Sequence, residues 1–415
     1  MRSPIEDARR EDRNEQRICR KPVSMKKTTR FVRALKLSVF LLSTIGAGAE
    51  DWVQYRGDAG RSGYTSETVP AELALLWTYQ PSHPPHVAWR EESRLMFDGA
   101  FCVVADSERA YFGSSADGKV YALKAEVGDP VWAFFTGAPV RFAPILKKDS
   151  VLAVSDDGYL YCLSRRQGKL LWKRRLCPSD SMVLGNGQMI SRWPVRGGPA
   201  MLDNLIDRPE ALMDRLKLTA EQKKSAGVHR PGKLLALDAH TGEVKWKADE
   251  DIFGTVLAVS EKHDVLLMAY QPTRFRQKSE VGGRMAAFRA STGKPLWNIK
   301  AKYGTRPVLN DGKIYCQPHA YDLRTGKQDT EYSFKRSYGC GILSGGRNIL
   351  LFRSATLGYR DLTTQGGTCN YGPARPGCWI NAIPAGGLVL VPDASDVCSC
   401  SYLIKTSFAL VPGGQ

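Results

Sequence analysis

The sequence predicts an all-β fold, a β-propeller of seven or eight four-stranded blades, because one unit recurs along it. Residues 115–123 and 155–163 each contain an Asp-Gly pair followed by an apolar run, and they lie about 40 residues apart. That period is typical of one propeller blade. Each unit continues to a tryptophan, Trp132 or Trp172, which only a neighbouring unit can bury, so the units are expected to form an array.

Each unit contains two turns that demand glycine. Asp117-Gly118 lies between apolar runs, which is the strongest local signal for a hairpin, since both turn positions favour positive φ. The apolar runs 120–123 and 160–163 have little polar alternation, so we expect strands covered on both faces. A second glycine, Gly128 or Gly168, precedes the strand that carries the tryptophan.

Weaker copies of the unit continue downstream. Residues 234–246 and 285–297 repeat the apolar run, the Thr-Gly turn and the tryptophan, while 321–327 keeps the turn alone. We interpret the repeated indoles as packing residues between blades rather than as chemical groups. The inter-blade set is Trp77, Trp132, Trp172, Trp246 and Trp297.

The repeated element resembles the repeat of the PQQ-like (pyrrolo-quinoline quinone) propellers, a family that includes quinoprotein dehydrogenases and outer-membrane assembly propellers. Its form is [Leu/Tyr]-x-Leu-Asp-Ala-x-Thr-Gly-x-x-x-Trp, best seen at 235–246. Trp52, Tyr55, Arg56 and Gly57 resemble the opening segment of secreted members, which packs across the ring. The segment 371–387 is similar to one in exported planctomycete-type proteins of this family. The resemblance implies the fold more strongly than a function.

The same resemblance implies a possible cofactor, PQQ with Ca²⁺. In the dehydrogenases that chemistry uses an adjacent Cys-Cys disulfide, oxygen ligands for the metal and a carboxylate base. This sequence has no Cys-Cys pair and no Cys-x-x-Cys-His haem site. We therefore predict no cofactor, no metal site and no catalytic residue, and keep a PQQ- and Ca²⁺-dependent alcohol or sugar dehydrogenase as the alternative.

The first 49 residues predict export. Basic residues up to Lys36 precede a short apolar stretch, 37–45, and Ala47-Gly48-Ala49 forms a small-x-small cleavage site. We expect a signal peptide cut near Ala49 and a periplasmic or secreted protein. Residues 1–24 are too charged for a leader, so Met25 is the expected start. The remaining residues, 50–412, are expected to form one propeller domain with no transmembrane span.

One interval departs from the repeat. Gly168 and Gly242, the turn glycines of two successive tryptophan units, are about 74 residues apart, which leaves room for part of a blade and an insertion. Residues 203–227 are expected to contain a short helical insertion, since 210–218 has apolar residues at helical spacing. The strand carrying Trp77 lacks partners upstream. We expect it to pair with the C-terminal runs 389–391 and 402–410, which would close the ring.

Two stretches carry candidate binding residues. Arg192 and Trp193 stand beside glycines, where an arginine can hold an anion and an indole can stack on a ring. Arg375, Trp379 and Asn381 form the second group. The alternative interpretation of each stretch is packing at a blade junction. Export makes disulfides possible, and a staple at the closing blade is the favoured use of a cysteine group. That group is Cys340, Cys378, Cys398 and Cys400.

The composition limits the classes of function. Of the formal net charge of +17, +7 belongs to residues 1–49, and the remaining surplus of about +10 is spread along the chain without a nucleic-acid-binding motif. We predict a monomeric, non-catalytic binding or scaffolding module whose partner is a protein or a small molecule, not a nucleic acid. A factor for assembly of envelope proteins is a further alternative.

Overall fold

The fold is described from a computed structural model of the chain. It covers residues 50–88, 98–195, 201–202, 205–206, 234–237, 244–253, 256–270, 282–336, 342–364, 366–372, 375–376, 382–393 and 407–413. These residues form strands and turns, with no helix among them. The strands pair antiparallel and belong to six four-stranded sheets and three two-stranded sheets. The protein is a β-propeller, as the repeats predict.

Five of the four-stranded sheets use four consecutive strands in chain order, so each is one blade. The first two are β2 (Val103–Ala105), β3 (Arg109–Gly113), β4 (Lys119–Lys124) and β5 (Pro130–Phe135), then β6 (Ile145–Lys147), β7 (Ser150–Val154), β8 (Tyr159–Ser164) and β9 (Leu170–Arg175). The other three are β16 (Val256–Ser260), β17 (Val265–Ala269), β18 (Arg284–Arg289) and β19 (Pro295–Lys300), then β20 (Val308–Asn310), β21 (Lys313–Tyr315), β22 (Ala320–Asp322) and β23 (Gln328–Asp329), then β24 (Ser344–Gly345), β25 (Ile349–Ser354), β26 (Thr356–Asp361) and β27 (Cys369–Asn370).

The sixth blade joins the two ends of the described chain. Its strands are β28 (Ile383–Ala385), β29 (Leu388–Val391), β30 (Ser407–Pro412) and β1 (Leu73–Tyr79), with β1 outermost against β30. Leu73 pairs with Pro412, and a bulge lies between Leu75 and Trp77. The expected closure by C-terminal strands is therefore confirmed.

The interval between β9 and β16 is irregular. Its described strands form three separate hairpins: β10 (Met182–Gly185) with β11 (Gln188–Ser191), β12 (Met201–Leu202) with β13 (Leu205–Ile206), and β14 (Leu234–Leu237) with β15 (Val244–Ala248). The predicted helical insertion is not supported. Leu205–Ile206 is a strand, because the turn formers Asp203-Asn204 separate two apolar pairs and favour a tight hairpin. The rest of 203–227 lies outside the described residues.

The core follows the strand order within each blade. The middle strands are apolar and buried on both faces, as in β17 and β25, where every residue is buried. The outer strands β9 and β19 are largely exposed. Gly118 has φ 65° and Gly128 has φ 75°, as the predicted turns require. The first strand of each four-stranded blade is here called its inner strand.

Candidate functional site

Residues 50–67, here called the axial segment, connect all six four-stranded blades. The segment opens with Trp52, which is buried and pairs with Ala105 at the end of β2. Its main-chain hydrogen bonds then run from blade to blade: Leu146 N to Val53 O (2.8 Å), Val259 N to Gly60 O (2.9 Å), Leu309 N to Ser62 O (3.1 Å) and Thr65 N to Gly345 O (2.9 Å). At the sixth blade Gly387 N donates to the Glu67 carboxylate. One segment thus closes one end of the axis.

Arg56 holds the bend in this segment. It has φ 65° and is buried, and its guanidinium donates to main-chain oxygens rather than to a carboxylate. Nη2 lies 2.6 Å from Pro307 O, and Nε lies 3.1 Å from Arg61 O. Burial lowers the pKa of Arg56 to about 10. The arginine of the opening motif therefore ties the axial segment to the chain that leads into β20.

A cavity lies beside Arg56 on the axis, and it tests the fit of PQQ and Ca²⁺. Its volume is about 20 Å³, between Trp52, Tyr55, Cys102 and Ile383. Arg56 Nη1 is buried there without a hydrogen-bond partner in the described part of the chain, and could meet an anion. None of the lining residues is acidic, so this lining offers no carboxylate for Ca²⁺ and no carboxylate base. This cavity therefore does not fit the quinone and its metal.

A buried charge cluster joins Asp98, which lies before β2, Arg141, which lies between β5 and β6, and Asp156, in the turn after β7. Arg141 Nη1 is 2.6 Å from Asp98 Oδ2, and its Nε is 2.7 Å from Asp156 Oδ2. All three side chains are 1% exposed. Ala88 N also donates to Asp98, over 2.8 Å, and Arg141 donates to the main-chain oxygen of His86. The cluster fixes the connection after β1 onto the neighbouring blades, which is a structural use of its charges.

The hairpin β10–β11 lies over this cluster instead of extending a blade. Ser191 N donates to Asp156 O over 2.8 Å, and Gln188 Nε2 lies 3.3 Å from His86 Nδ1 and 3.4 Å from Ser115 O. β11 is thus anchored to the turns below it. β10 is left on the outside, where Leu184 is 75% exposed.

The exposed residues of β9, β10 and β11 form an apolar and basic surface, here called the β9–β11 face. All six residues of β9 are exposed, and β9 is the outermost strand of its sheet. Three of them are basic, Lys173, Arg174 and Arg175, and of these Arg175 pairs with Asp180 at 2.9 Å. The large apolar side chains of the face are Leu170, Leu171, Trp172, Met182, Val183, Leu184 and Met189. Monomeric proteins seldom expose so many neighbouring apolar side chains without a binding role.

Four of the five repeat tryptophans make the same contact with the next sheet. Each indole Nε1–H donates to a main-chain oxygen there: Trp77 to Ala125 (2.7 Å), Trp132 to Arg165 (3.0 Å), Trp246 to Ala290 (2.9 Å) and Trp297 to Leu323 (3.0 Å). Each ring also packs closely against the glycine that lies three residues after its acceptor residue. Trp172 differs, being 44% exposed, and the acceptor at its equivalent position, Ala239, lies outside the described residues.

The other predicted site residues are placed as follows. Arg192 and Trp193 follow β11, with the guanidinium 5.6 Å from the centre of the indole, so they border the β9–β11 face. Arg375 is buried, and is not an exposed anion-binding group. Trp379, Asn381 and the four cysteines of the predicted staple, Cys340, Cys378, Cys398 and Cys400, lie outside the described residues.

Sequence reasoning missed Asp98, Arg141 and Asp156, and also Glu67. Each is a single polar residue in a connecting segment, and their partners are distant in sequence. A signal exists only for Asp156, which precedes the second Asp-Gly turn. In the described part of the chain, no group of three or more His, Cys, Asp or Glu residues could hold a metal ion, and no helix is long and apolar enough to cross a membrane.

Comparison with known proteins identifies the family. The sequence profile of the family described as outer membrane protein assembly factor BamB matches residues 74–327, more than half of the chain. The chain belongs to this family. Its repeats are thus PQQ-like repeats, as the sequence motif suggested. No curated protein matches the chain significantly.

Solved structures similar to this chain are propellers of low sequence identity. BamB from Moraxella catarrhalis is 16% identical, with a TM-score of 0.38, over 74% of this chain and 80% of that one. Quinohemoprotein alcohol dehydrogenase from Comamonas testosteroni is 11% identical, with a TM-score of 0.44, over 89% and 81%. The computationally designed protein Ika8 is 12% identical, with a TM-score of 0.46, over 79% and 100%.

Proposed function

We propose that the protein is an exported, non-catalytic binding module, a single propeller domain over residues 50–412, that acts in assembly of envelope proteins. Its partner is an extended polypeptide segment with acidic and apolar residues, held on the β9–β11 face. The description of the family supports a role in outer-membrane protein assembly. We place the protein in the periplasm or outside the cell, as a monomer, on the strength of the predicted leader.

The observation that carries the proposal is the exposed outer strand β9. Its apolar half, Leu170 to Trp172, and its basic half, Lys173 to Arg175, lie in one strand whose outer edge has no partner among the described strands. An extended segment can pair with such an edge through main-chain hydrogen bonds. Side-chain preference then comes from the alternating positions of the strand. The basic half favours acidic residues in the partner.

The β10–β11 hairpin would extend the same surface. Met182, Val183 and Leu184 are consecutive in β10 and all exposed, while β11 is anchored over the charge cluster. The apolar residues are therefore held in place before a partner arrives. A preformed surface loses less conformational entropy on binding than one that must first become ordered.

The test uses two labelled ten-residue peptides that alternate Val with Glu or Val with Lys. Fluorescence anisotropy should show the acidic peptide binding at least ~10-fold tighter to the purified protein at low salt, and losing affinity as salt rises. Leu171→Glu and Leu184→Glu should each weaken that binding ~10-fold or more. Leu296→Glu is the matched control, because Leu296 is an exposed leucine in β19, outside the face. Equal binding by all three variants would rule out the β9–β11 face.

The dehydrogenase alternative is tested on the same protein. PQQ and Ca²⁺ are added to the purified chain, and alcohols and sugars are supplied with an artificial electron acceptor. We expect no turnover, because the described lining of the axial cavity has no acidic residue. Turnover that depends on both PQQ and Ca²⁺ would overturn the non-catalytic proposal. An affinity pull-down from membrane extract, comparing the unaltered protein with Leu184→Glu, then tests the envelope-assembly role.

A further inference from the structure

Glu50, the first residue of the axial segment, is held at its main chain and at its side chain. Its carbonyl oxygen accepts a hydrogen bond from Gly386 N over 3.0 Å. Its carboxylate accepts from Ser66 N over 2.8 Å and from Thr65 Oγ1 over 3.1 Å. The residue before it, Ala49, ends the small-x-small motif of the expected leader. A chain cut after Ala49 would thus begin at a residue that the fold already fixes.

The main-chain N–H of Glu50 hydrogen-bonds the carboxylate of Glu67, at the other end of the same segment. Glu67 is 5% exposed, and its Oε1 accepts from Gly387 N. Its Oε2 is buried without a hydrogen-bond partner among the described residues. Burial raises the pKa of Glu67 to about 7, and the nearby Glu50 carboxylate adds to that rise. Within the described ranges, Glu67 is therefore a buried acid without a cation beside it.

We propose that Glu67 is a binding site for the protein's own new amino terminus. A leader peptidase hydrolyses the Ala49–Glu50 peptide bond with one water, which leaves a carboxylate on Ala49 and an α-amino group on Glu50 that takes up a proton. The resulting α-ammonium of Glu50 donates to the Glu67 carboxylate and forms an ion pair with it. Removal of the leader thereby fixes the axial segment across the inner strands.

The chemistry of the site favours an ammonium over the peptide N–H that precedes it. A peptide nitrogen offers one N–H and no charge, while an ammonium offers three donors and a positive charge, and Glu67 Oε2 is an acceptor without a partner. The other charged groups nearby are the Glu50 carboxylate and the Arg347 guanidinium, which acts on Glu50. Of these, the Glu50 carboxylate interacts electrostatically with Glu67, and both carboxylates are negatively charged. The cation that Glu67 lacks is the one that cleavage creates.

The proposal depends on the expected leader and not on the β9–β11 face, so either can fail alone. The first measurement is the intact mass of the protein exported from the full-length gene, which should correspond to a chain beginning at Glu50. An amino terminus at any other residue would overturn the proposal.

The second measurement compares two chains released from a cleavable N-terminal fusion, one beginning at Glu50 and one beginning at Ala49. Both contain every described element. At pH 7 the Glu50 form should melt higher, by ~2 °C or more. Pairing raises the pKa of the ammonium above its unfolded value of about 8 and requires the Glu67 carboxylate to be ionised. The difference should therefore be largest between about pH 5 and pH 8, and should vanish as pH rises toward ~10 or falls below ~4.

The matched control repeats the comparison with Glu67→Gln in both chains, where the two forms should melt together. A third measurement covers the case in which Glu67→Gln does not fold: the rate at which isotopic cyanate carbamylates the amino terminus. It should be at least ~10-fold slower in the Glu50 form than in the Ala49 form, and equal after denaturation. Equal melting temperatures and equal native rates for the two forms would overturn the ion pair.

Discussion

Substitution of Gly168 by alanine tests whether the indoles hold the blades together. Gly168 has φ 69°, and a Cβ placed there would lie 2.5 Å from Trp132 Cδ2, well inside contact distance. The indole would have to move away and would lose its 3.0 Å hydrogen bond to Arg165 O. Gly187→Ala is the control, because Gly187 has φ 71° and nothing lies within 4 Å of its Cβ position.

The difference in unfolding free energy between the two variants follows from one cost that they share and two that only Gly168→Ala has. Both pay the left-handed backbone cost, roughly 1–2 kcal/mol. Gly168→Ala adds roughly 1–3 kcal/mol for overpacking and about 1 kcal/mol for the lost hydrogen bond. The free energy of unfolding of Gly168→Ala should therefore lie about 2–4 kcal/mol below that of Gly187→Ala.

Urea unfolding followed by far-ultraviolet circular dichroism measures this difference. A double-mutant cycle with Trp132→Phe should show that most of the extra cost disappears once the larger ring is gone. If Gly168→Ala and Gly187→Ala lose the same stability within ~0.5 kcal/mol, the indole does not secure the junction and the reasoning fails.

Three further predictions concern buried groups. Arg141→Met should lower the free energy of unfolding in urea by roughly 3–5 kcal/mol, because it leaves two carboxylates that are 1% exposed without their cation. Arg175→Met, which breaks an exposed ion pair, should lower it by less than ~1 kcal/mol. Equal losses for the two variants would contradict the role of the cluster. Burial raises the pKa of the Cys102 thiol to about 12, so peptide mapping after iodoacetamide at pH 8 should find Cys102 unmodified in the native protein and modified in urea. In a chain that retains Ala49, the folded-state pKa of Glu67 lies above its ordinary 4.5, so the stability that Glu67 contributes is full below pH 4.5 and is lost as pH rises through about 7. Glu67→Gln should remove that loss. If Glu67→Gln leaves the pH profile of the melting temperature unchanged, the assignment is contradicted.

The parts of the fold that the sequence predicts are those with local causes. The Asp-Gly and Thr-Gly turns need positive φ, and the apolar runs need burial on both faces, so both can be read within about ten residues. Closure by the C-terminus could be predicted because Trp77 lies in a strand that lacks sequence neighbours. The helical insertion expected in 203–227 is not supported, since Leu205–Ile206 pairs as a strand with Met201–Leu202.

The candidate site was less predictable because its contacts are distant in sequence. Glu67 meets Gly387, and Arg56 meets Pro307, and neither pair leaves a local pattern. Trp172 has the same motif as Trp132 but is 44% exposed, and the turn at Ala239 that corresponds to the partners of the other indoles lies outside the described residues. The motif predicts that an indole can pack on the next sheet, but the position of that sheet decides whether the indole is buried.

The pairing of β1 with β30 has a consequence for how the protein is made. The ribosome makes β1 long before β30, so the sixth blade stays incomplete until β30 has been synthesised. Contacts between such distant segments form slowly, because the long loop between them must close first. The ring therefore stays open until β30 is available to pair with β1.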